Sequence, residues 1–357
     1  MSGLSGISSK NAGNIDLALW LKNQGAGSAL ERIVLAMAKA GTEIAHIARN
    51  APLDGKSGAA GLVNIQGEEQ KDLDIISNDI VLEHLKECPA AIALVSEEIP
   101  RLLINPGGEI LSGNGAGGRP NYAVCFDPLD GSSNIETNSA IGTIFSILQL
   151  GDIAGSQPDQ GDVFSAASSQ VAAGYIYYGA ATLLVLTLGK SVAMFALRGI
   201  AENGVLDGGS FVLVQDQLKI LEIASEYSIN MAYARFWDFP IKTYINDCQG
   251  GRPGPRGRDF NMRWSGAMIA DVHKIFVRGG VFIYPALKKP GSETGKLRFL
   301  YEALPMAMLV ENAGGKAIMG EREISGFLPS SLHQRVPVML GSKEEVEILQ
   351  NLYRQKH

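Results

Sequence analysis

Two segments near the N-terminus have the pattern of apolar positions that amphipathic helices show. In residues 29–51, "ALERIVLAMAKAGTEIAHIARNA", apolar residues recur at three- and four-residue spacing with charges between them, and the pattern ends before Pro52. Residues 73–88, "LDIISNDIVLEHLKEC", have the same period and are followed by Pro89. Because proline lacks a backbone donor and clashes with the preceding turn, both segments are predicted to be helices that end at these prolines.

The middle of the chain has the pattern of β-strands. A short apolar run at 90–98, "AAIALVSEE", ends in two acids, and "YAVCF" at 122–126 is a second apolar run. Further runs are separated by turn residues: "IGTIFSILQL", "AAGYIYYG", "ATLLVLTLG", "SVAMFAL" and "SFVLV". Successive short strands with turns between them predict a mainly antiparallel sheet.

One part of this region is long enough and free enough of charge to be tested as a membrane span. No charged residue occurs from Val163 to Gly189, which meets the length criterion for crossing a bilayer. Gly174 and Gly179 interrupt the stretch, and it is rich in tyrosine and β-branched residues. Successive buried strands are therefore the preferred interpretation, and no membrane association is expected.

After about residue 217 the pattern changes to an alternation of helix and strand. "MIADVHKIFVRGG" precedes "VFIYP", and "FLYEALPMAMLVENAGG" precedes "KAIMG". This alternation predicts a second domain with a mixed sheet flanked by helices. A chain of 357 residues, 46% of them hydrophobic, is long enough for two packed domains, which we place at 1–217 and 218–357.

Composition narrows the classes of partner. The formal net charge of −6 argues against nucleic-acid binding, which needs a basic surface. The arginine-containing stretch "QGGRPGPRGRDF" at 249–260 is interpreted as a surface loop. Three cysteines without a CxxC spacing, and an N-terminus without a signal-peptide pattern, predict a reducing, cytoplasmic location.

Acidic residues gather at the ends of two predicted strands. Asp127 and Asp130 flank a proline in "FDPLDGSSN", and Glu97 and Glu98 end the strand at 90–98. Further acids, Glu68, Asp72 and Asp74, lie in "GEEQKDLD". Proline stiffens the turn, so both aspartates can point to one side. If the two strands are neighbours, the clustered carboxylates need cations, and all-oxygen ligands favour magnesium, with manganese as a substitute.

The residues after the aspartates indicate what such a metal would serve. "GSSN" has small side chains, and Ser132 and Ser133 are typical residues at helix starts, which bind phosphate. Metal ions beside a phosphate site imply hydrolysis, with one carboxylate taking a proton from water. Each acid pair alone has a plain structural interpretation, as a cap, a turn or a solvated strand end, but their combination favours a phosphatase.

Together these motifs resemble class I fructose-1,6-bisphosphatase, within a lithium-sensitive, metal-dependent sugar phosphatase superfamily. The resemblance rests on "GEEQKDLD", "SEE", "FDPLDGSSN", "VAAGYIYYG", "YSIN", "MIADVH", "GKLRFLYE" and "ENAGG", in order from about residue 29 to the C-terminus. It implies a layered αβαβα fold of the α/β and α+β type, and hydrolysis of the 1-phosphate of fructose 1,6-bisphosphate in gluconeogenesis or carbon fixation. It also implies direct attack by a water molecule that two or more magnesium ions activate.

The resemblance assigns roles residue by residue. The implied metal ligands are Glu68, Glu97, Asp127, the Leu129 carbonyl, Asp130 and Glu302, and Asp74 and Glu98 would activate the water. Gly131, Ser132, Ser133 and Asn134, with Asp130, would hold the 1-phosphate. Asn230, Tyr233, Tyr284, Lys296 and Trp264 would contact the sugar and its 6-phosphate, and Arg263 would reach that phosphate across a subunit interface. Arg298 is expected to be a structural ion-pair partner. The family is usually tetrameric, so a homo-oligomer is expected.

The sequence departs from the family at two sites. Trp264 stands where the family usually has a phosphate-binding tyrosine, which leaves open a sedoheptulose-1,7-bisphosphatase or a dual-specificity enzyme. The region of AMP inhibition lacks two of the family's cations, with Asn121 and Gln149 in their places and Ser28 as a remnant of the phosphate cradle. The remaining alternative is a catalytically silent sugar-phosphate sensor, which is disfavoured because every implied metal ligand is present.

Overall fold

The computed structural model describes residues 15–51, 53, 59–63, 69–109, 120–153, 156–199 and 209–355. Its helices are α1 (Leu17–Asn23), α2 (Ser28–Asn50), α3 (Asp72–Lys86), α4 (Gln160–Ala166), α5 (Phe239–Gln249), α6 (Met268–Arg278), α7 (Leu304–Asn312) and α8 (Lys343–Arg354). Short 3₁₀ helices occur at Ser132–Asn134, Ala167–Ser169 and Met231–Phe236, and a π-helical turn at Phe299–Ala303 leads into α7. The two helices predicted at 29–51 and 73–88 are α2 and α3, and both stop before the predicted prolines.

The strands are β1 (Ala59–Val63), β2 (Glu69–Lys71), β3 (Ala91–Ser96), β4 (Leu103–Ile104), β5 (Tyr122–Asp130), β6 (Ile141–Gln149), β7 (Gln170–Tyr178), β8 (Thr182–Thr187), β9 (Val192–Leu197), β10 (Phe211–Gln215), β11 (Glu226–Ser228), β12 (Asn261–Met262), β13 (Val281–Tyr284), β14 (Leu297–Arg298), β15 (Lys316–Met319), β16 (Arg322–Glu323), β17 (Arg335–Val336) and β18 (Val338–Gly341). β1 pairs with β2, and β14 with β17, in two small ribbons.

Eight strands form the first large sheet, in the order β10-β9-β8-β7-β6-β5-β3-β4. All neighbours in it are antiparallel except β3 and β5, which run parallel. The predicted antiparallel run is therefore confirmed. The parallel pair has a consequence for the site, because it brings the carboxyl ends of β3 and β5 to the same edge.

The second large sheet has six strands in the order β12-β11-β13-β18-β15-β16. β11 is parallel to both of its neighbours, and the remaining pairs are antiparallel. This is the mixed sheet that the alternation of helix and strand predicted.

The helices and the two large sheets form five layers, and three apolar clusters pack these layers together. One cluster lies between α1–α3 and the first sheet, the next lies between the two sheets and contains α6 and α7, and the last packs α5 and α8 on the second sheet. Ile144 and Phe145, adjacent in β6, belong to different clusters, because successive side chains of a strand point to opposite faces. The αβαβα arrangement is confirmed.

Burial of both sheet faces also accounts for the uncharged stretch at 163–189. Its first part is helical, in α4 and the 3₁₀ turn that follows, and the rest forms β7 and β8. The interpretation as strands alone was therefore wrong for residues 163–169, where a capping box formed by Asp159 and Asp162 starts a helix. Among the described residues, no helix is long and apolar enough to cross a membrane.

The arginine-containing loop at 249–260 is held in place by a buried acid. Arg256 Nη2 donates to both carboxylate oxygens of Glu345 at 2.7 Å, and Arg258 Nη2 donates to one of them at 2.5 Å. Glu345 is fully buried, on α8. Two arginines of the loop are thus bound to a buried side chain of the same protein.

Candidate active site

A cavity of about 310 Å³ opens where the two sheets meet, at the carboxyl ends of β3 and β5. The residues predicted for the site that line this cavity are Asp74, Glu97, Glu98, Asp127, Leu129, Asp130, Gly131, Ser132, Ser133, Trp264, Tyr284, Lys296 and Glu302. They come from both sheet layers and from sequence positions more than two hundred residues apart. The fold therefore assembles most of the predicted site in one place.

A β-bulge explains how Asp127 and Asp130 reach the same cavity. Residues three apart in a regular strand point to opposite faces, but the pairing of β5 with β6 shifts by one residue between Asp127–Ile144 and Asp130–Gly142. Pro128 lies inside the bulge, after the last pair that β5 forms with β3, so its missing N–H interrupts no ladder bond there. The bulge turns both carboxylates to one side, as the proline suggested.

Glu302, which lies in the sequence between the strands of the second sheet, completes the acid cluster. Carboxylate oxygens of Asp127, Asp130 and Glu302 lie within 4.8 Å of one another, close enough to share a metal ion. Glu302 lies in the π-helical turn before α7, and its Oε2 accepts from the Arg298 N–H at 2.5 Å. The side chain of Arg298 pairs with Glu97, with 3.0 Å between Nη2 and Oε1. Arg298 is therefore the ion-pair partner that was expected.

Burial and mutual repulsion make this cluster hold protons when no cation is present. Burial raises the pKa of Asp127 well above its ordinary range, and the neighbouring Glu97, Asp130 and Glu302 add to the shift. Burial likewise raises the pKa of Asp130 to about 7 and that of Glu302 to about 8, although Arg298 opposes the shift at Glu302. Ionising all of them at neutral pH requires added positive charge.

The donor set fits a hard divalent cation. Six carboxylates line the cavity against two cationic side chains, Lys296 and Arg298. The donors are oxygens, with neither cysteine nor histidine in the lining, and this chemistry suits magnesium or manganese rather than zinc or copper. The clustered acids therefore form a site that can hold metal ions.

The raised pKa values predict an unusual pH dependence of stability. A carboxyl group with a raised folded-state pKa stabilises the protein below its ordinary pKa and loses this contribution as pH rises through the folded value, here about 7 for Asp130 and about 8 for Glu302. We expect the Tm in EDTA to fall from about pH 5 to about pH 8 and to level off above that, and the rise in Tm caused by magnesium to grow over the same range. Thermal unfolding with and without magnesium measures this, and a Tm in EDTA that rises with pH would contradict it.

The part of the cavity that is predicted to bind phosphate begins at Gly131. Its φ of 84° is left-handed, and a Cβ there would lie 2.5 Å from the Cβ of Ala267, so only glycine fits. The expected helix start is a 3₁₀ turn of three residues, Ser132–Asn134, and not the first turn of an α-helix.

Asn134 does not line the cavity, because its side chain is used within the protein. Its Nδ2 donates to the carbonyls of Ala140, at 3.1 Å, and Ser265, at 3.2 Å. The second of these bonds ties the turn after Gly131 to the chain segment that carries Trp264.

The part of the cavity where the sugar is predicted to bind, called the sugar side here, is lined by aromatic side chains and a cationic side chain. Trp264 stacks on Phe282 with 6.3 Å between ring centroids and 2° between planes, and it lies 6.0 Å from the ring of Tyr284. Lys296 lines the same region. Phe282 was not predicted from the sequence, although its position two residues before Tyr284 in β13 places both side chains on one face.

Besides Asn134, four predicted residues are not among those that line the cavity. Asn230 caps the 3₁₀ turn at Met231–Phe236 by accepting from the Ala232 N–H, and the Tyr233 ring lies 5.2 Å from Lys289 Nζ. Arg263 is exposed and pairs with Glu226 of the same chain at 3.7 Å. Glu68 lies outside the described residues.

A contact that no sequence pattern indicated joins the acids to α6. The Ile269 N–H donates to Asp130 Oδ2 at 2.7 Å, so an acid of the first sheet binds the N-terminal end of a helix that lies between the sheets. The partner is 139 residues away in sequence, and only the folded arrangement reveals it.

Comparisons with known proteins agree with this geometry. Residues 18–215 match the family model of the fructose-1-6-bisphosphatase N-terminal domain, and residues 220–354 match that of the C-terminal domain. The class 1 fructose-1,6-bisphosphatase of Methylobacillus flagellatus is 44% identical over 310 residues, 87% of this chain and 88% of that protein. That of Alkalilimnicola ehrlichii is 43% identical over 331 residues, 92% of this chain and 94% of that protein. The crystal structure of Leishmania major fructose-1,6-bisphosphatase in holo form has a TM-score of 0.84 at 31% identity, and covers 96% of this chain and 99% of that one.

Proposed function

Since this chain belongs to the class 1 fructose-1,6-bisphosphatase family, we propose that it hydrolyses the 1-phosphate of fructose 1,6-bisphosphate to give fructose 6-phosphate and inorganic phosphate. The observation that carries this proposal is the cluster of Asp127, Asp130 and Glu302 beside the Gly131 turn, in a cavity that also holds Lys296. This arrangement supports a site for cations next to a site for one phosphate, with the positive side chain of Lys296 for the other phosphate.

Magnesium is the proposed cofactor, with manganese as a substitute and two or more ions in each subunit. The residues that would hold it are Glu97, Asp127, Asp130 and Glu302, with the Leu129 carbonyl and Glu68. When bound, magnesium supplies positive charge that stabilises the phosphoryl oxygens in the transition state. All of these ligands are oxygens, and the described carboxylates lie in the cavity.

The chain's own acids provide the proton acceptors. Asp74, buried in the first turn of α3, and Glu98, directly after β3, both line the cavity. We assign them to orient the attacking water and to take its proton as the bond from phosphorus to the C1 oxygen breaks. Hydrolysis is direct in this account, because the residues around the acids offer no activated nucleophile for a phospho-enzyme.

The residues of the site that hold neither the metal nor the attacking water are proposed to bind the phosphates and the sugar. The backbone of Gly131 and Ser132, with Ser133, faces the 1-phosphate, and Tyr284 and Lys296 face the sugar and its 6-phosphate. Lysine suits a phosphate dianion, and tyrosine donates to sugar or phosphate oxygens. Asn134 is also proposed to hold the 1-phosphate, and Asn230 and Tyr233 are proposed as further ligands of the sugar and its 6-phosphate.

An oligomer is proposed because Arg263 does not line the cavity of its own chain. Its exposed side chain is available to a second subunit, where it would reach the 6-phosphate of that subunit's substrate. A homotetramer is the expected assembly. We also propose a cytoplasmic location, supported by three cysteines that are all free, and a domain boundary at residue 217.

Trp264 supports a second substrate as the alternative function. Its indole forms part of the sugar-side wall and has a single N–H donor, so a distal phosphate meets different contacts from those of a tyrosine. Sedoheptulose 1,7-bisphosphate, with one more carbon, is the candidate. A silent sugar-phosphate sensor remains the disfavoured reading of the chain, since the described acids of the site are all in place.

Phosphate release from the two bisphosphates, measured side by side with magnesium, tests the assignment. We expect kcat/KM to be higher for fructose 1,6-bisphosphate, and chelator to remove the activity on both substrates. Equal or faster turnover of the sedoheptulose substrate would move the assignment to a dual or sedoheptulose-specific enzyme. Turnover of neither would favour the sensor.

AMP is expected to inhibit weakly or not at all. Where the family has cations for the nucleotide phosphate, this chain has Asn121, which is buried, and Gln149, which pairs with Tyr122 across β5 and β6. Two missing charge-assisted bonds of roughly 1.5 to 3 kcal/mol each would weaken AMP binding by several kcal/mol. Initial rates at AMP concentrations up to the millimolar range measure this, and half-inhibition at micromolar AMP would contradict it.

A further inference from the structure

Residues 264–267, called the connector here, join β12 to α6 and border both sides of the cavity. Trp264 and Gly266 line the cavity, and Ala267 is so close to Gly131 that a Cβ on that glycine would lie 2.5 Å from it. The conformation of the connector therefore determines where the indole stands and how closely the sugar side approaches the phosphate turn.

Ser265, in the middle of the connector, has its N–H, its carbonyl and its hydroxyl all bound. Its N–H donates to both oxygens of Asp271, at 3.0 and 3.2 Å. Its carbonyl accepts from Asn134 Nδ2 at 3.2 Å, and its hydroxyl accepts from Lys274 Nζ at 2.8 Å. Three side chains thus hold the residue that follows Trp264.

Asp271 is the centre of this arrangement. It is 1% exposed and pairs with Lys274, with 2.6 Å between Oδ1 and Nζ. Burying a carboxylate is costly unless it is paired and hydrogen-bonded, and here it has both kinds of partner. A carboxylate so enclosed holds its bonding partners in a narrow range of positions.

The direction of these hydrogen bonds separates Asp271 from an ordinary helix-stabilising acid. It lies in the first turn of α6, where a negative charge favours the helix. Its bonds, however, go to Ser265, which lies before the helix, while the Ile269 N–H of the same helix is bound by Asp130. Asp271 therefore fixes the connector rather than capping its own helix.

We propose that Asp271, with Lys274 as its counter-ion, is a positioning residue for the sugar bisphosphate. It holds the connector so that Trp264 forms the wall of the sugar side and Ala267 stays against Gly131. The inference rests on the proposed function. Because the connector borders the sugar side, loss of Asp271 is expected to weaken substrate binding more than it slows turnover.

The test compares Asp271→Asn, Lys274→Met and the double variant with the wild type. We expect Asp271→Asn to raise KM for fructose 1,6-bisphosphate by roughly 10-fold, as the loss of charge-assisted hydrogen bonds implies, with kcat within about 3-fold. The inhibition constant of fructose 6-phosphate is expected to rise in parallel, and that of inorganic phosphate to change less than about 2-fold.

The double variant distinguishes positioning from plain stability. It leaves no unpaired buried charge, so its Tm is expected to recover toward the wild-type value while its KM stays raised. It also reports on the proposal if a single variant does not fold. Glu345→Gln is the matched control, because it removes the charge of a second buried, cation-paired acid, which pairs with Arg256 away from the cavity, and we expect it to lower Tm without raising KM.

Three results would overturn the inference. If the wild type is active, an unchanged KM in Asp271→Asn refutes the positioning role alone. A KM that recovers together with Tm in the double variant refutes the same role. A wild type that releases no phosphate from fructose 1,6-bisphosphate refutes the proposed function, and this inference falls with it.

Discussion

Replacing Glu98 by glutamine is expected to lower kcat on fructose 1,6-bisphosphate by about 10²- to 10⁴-fold, the range that general-base catalysis contributes. Glu98 lines the cavity directly after β3, and its N–H is held by the Ser96 hydroxyl at 3.2 Å. Glutamine keeps the shape of the side chain but cannot accept the proton of the attacking water. We therefore expect KM to stay within a few-fold, so that the loss lies in turnover.

The matched control for this variant is Glu311→Gln. Burial raises the pKa of Glu311 to about 7, yet Glu311 lies on α7 and is not among the residues that line the cavity. Removing this buried acid is expected to leave kcat unchanged. Steady-state rates of both variants at saturating magnesium make the comparison, and a Glu98→Gln enzyme with more than about a tenth of wild-type kcat would exclude the proton-acceptor role.

Replacing Asp127 by asparagine is expected to remove metal activation altogether, with a loss of activity of at least about 10³-fold. Asp127 has Glu97, Asp130 and Glu302 around it, so it is the acid on which the negative charges of the others act most strongly. Asparagine keeps an oxygen for the Leu129 N–H, which Asp127 Oδ1 binds at 2.9 Å. The local backbone bond can therefore survive while the negative charge is lost.

The same substitution is expected to stabilise the metal-free protein, which sets it apart from a general packing defect. Removing one of several mutually repelling carboxylates relieves the repulsion that raises their pKa values. At about pH 8 in EDTA, we expect Tm of Asp127→Asn to exceed that of the wild type, and magnesium to give little further rise. A lower Tm in EDTA together with a normal response to magnesium would contradict the assignment of Asp127 as a ligand.

The features that sequence reasoning predicted well depend on patterns within short segments. The strands of the first sheet were predictable because both faces are buried, so each strand is an almost continuous apolar run, as the burial of all of β5 shows. The acids were predictable because "FDPLDGSSN" and "SEE" place carboxylates directly at strand ends. That the two strands are neighbours was stated as a condition, and the structure shows that β3 and β5 pair and run parallel.

The features that sequence reasoning missed depend on contacts between distant segments. The exception is local: α4 was missed because the residues after its capping box, from Val163 onward, are uncharged, as are the strands that follow. The bond from Ile269 to Asp130 and the bond from Asn134 to Ser265 join residues that are 139 and 131 positions apart in the sequence, and no local pattern relates them. The phosphate-binding role of Asn134, which the resemblance implied, stays a prediction, and the structure adds that its amide donates to the Ser265 carbonyl.

The most direct test of the account is a ³¹P NMR time course of the wild-type protein with fructose 1,6-bisphosphate, first in EDTA and then after excess magnesium is added. No change in the spectrum is expected in EDTA. After magnesium is added, the 1-phosphate signal is expected to disappear while those of inorganic phosphate and fructose 6-phosphate grow together. Release of the 6-phosphate instead, undiminished release in EDTA, or no release after magnesium is added would contradict it.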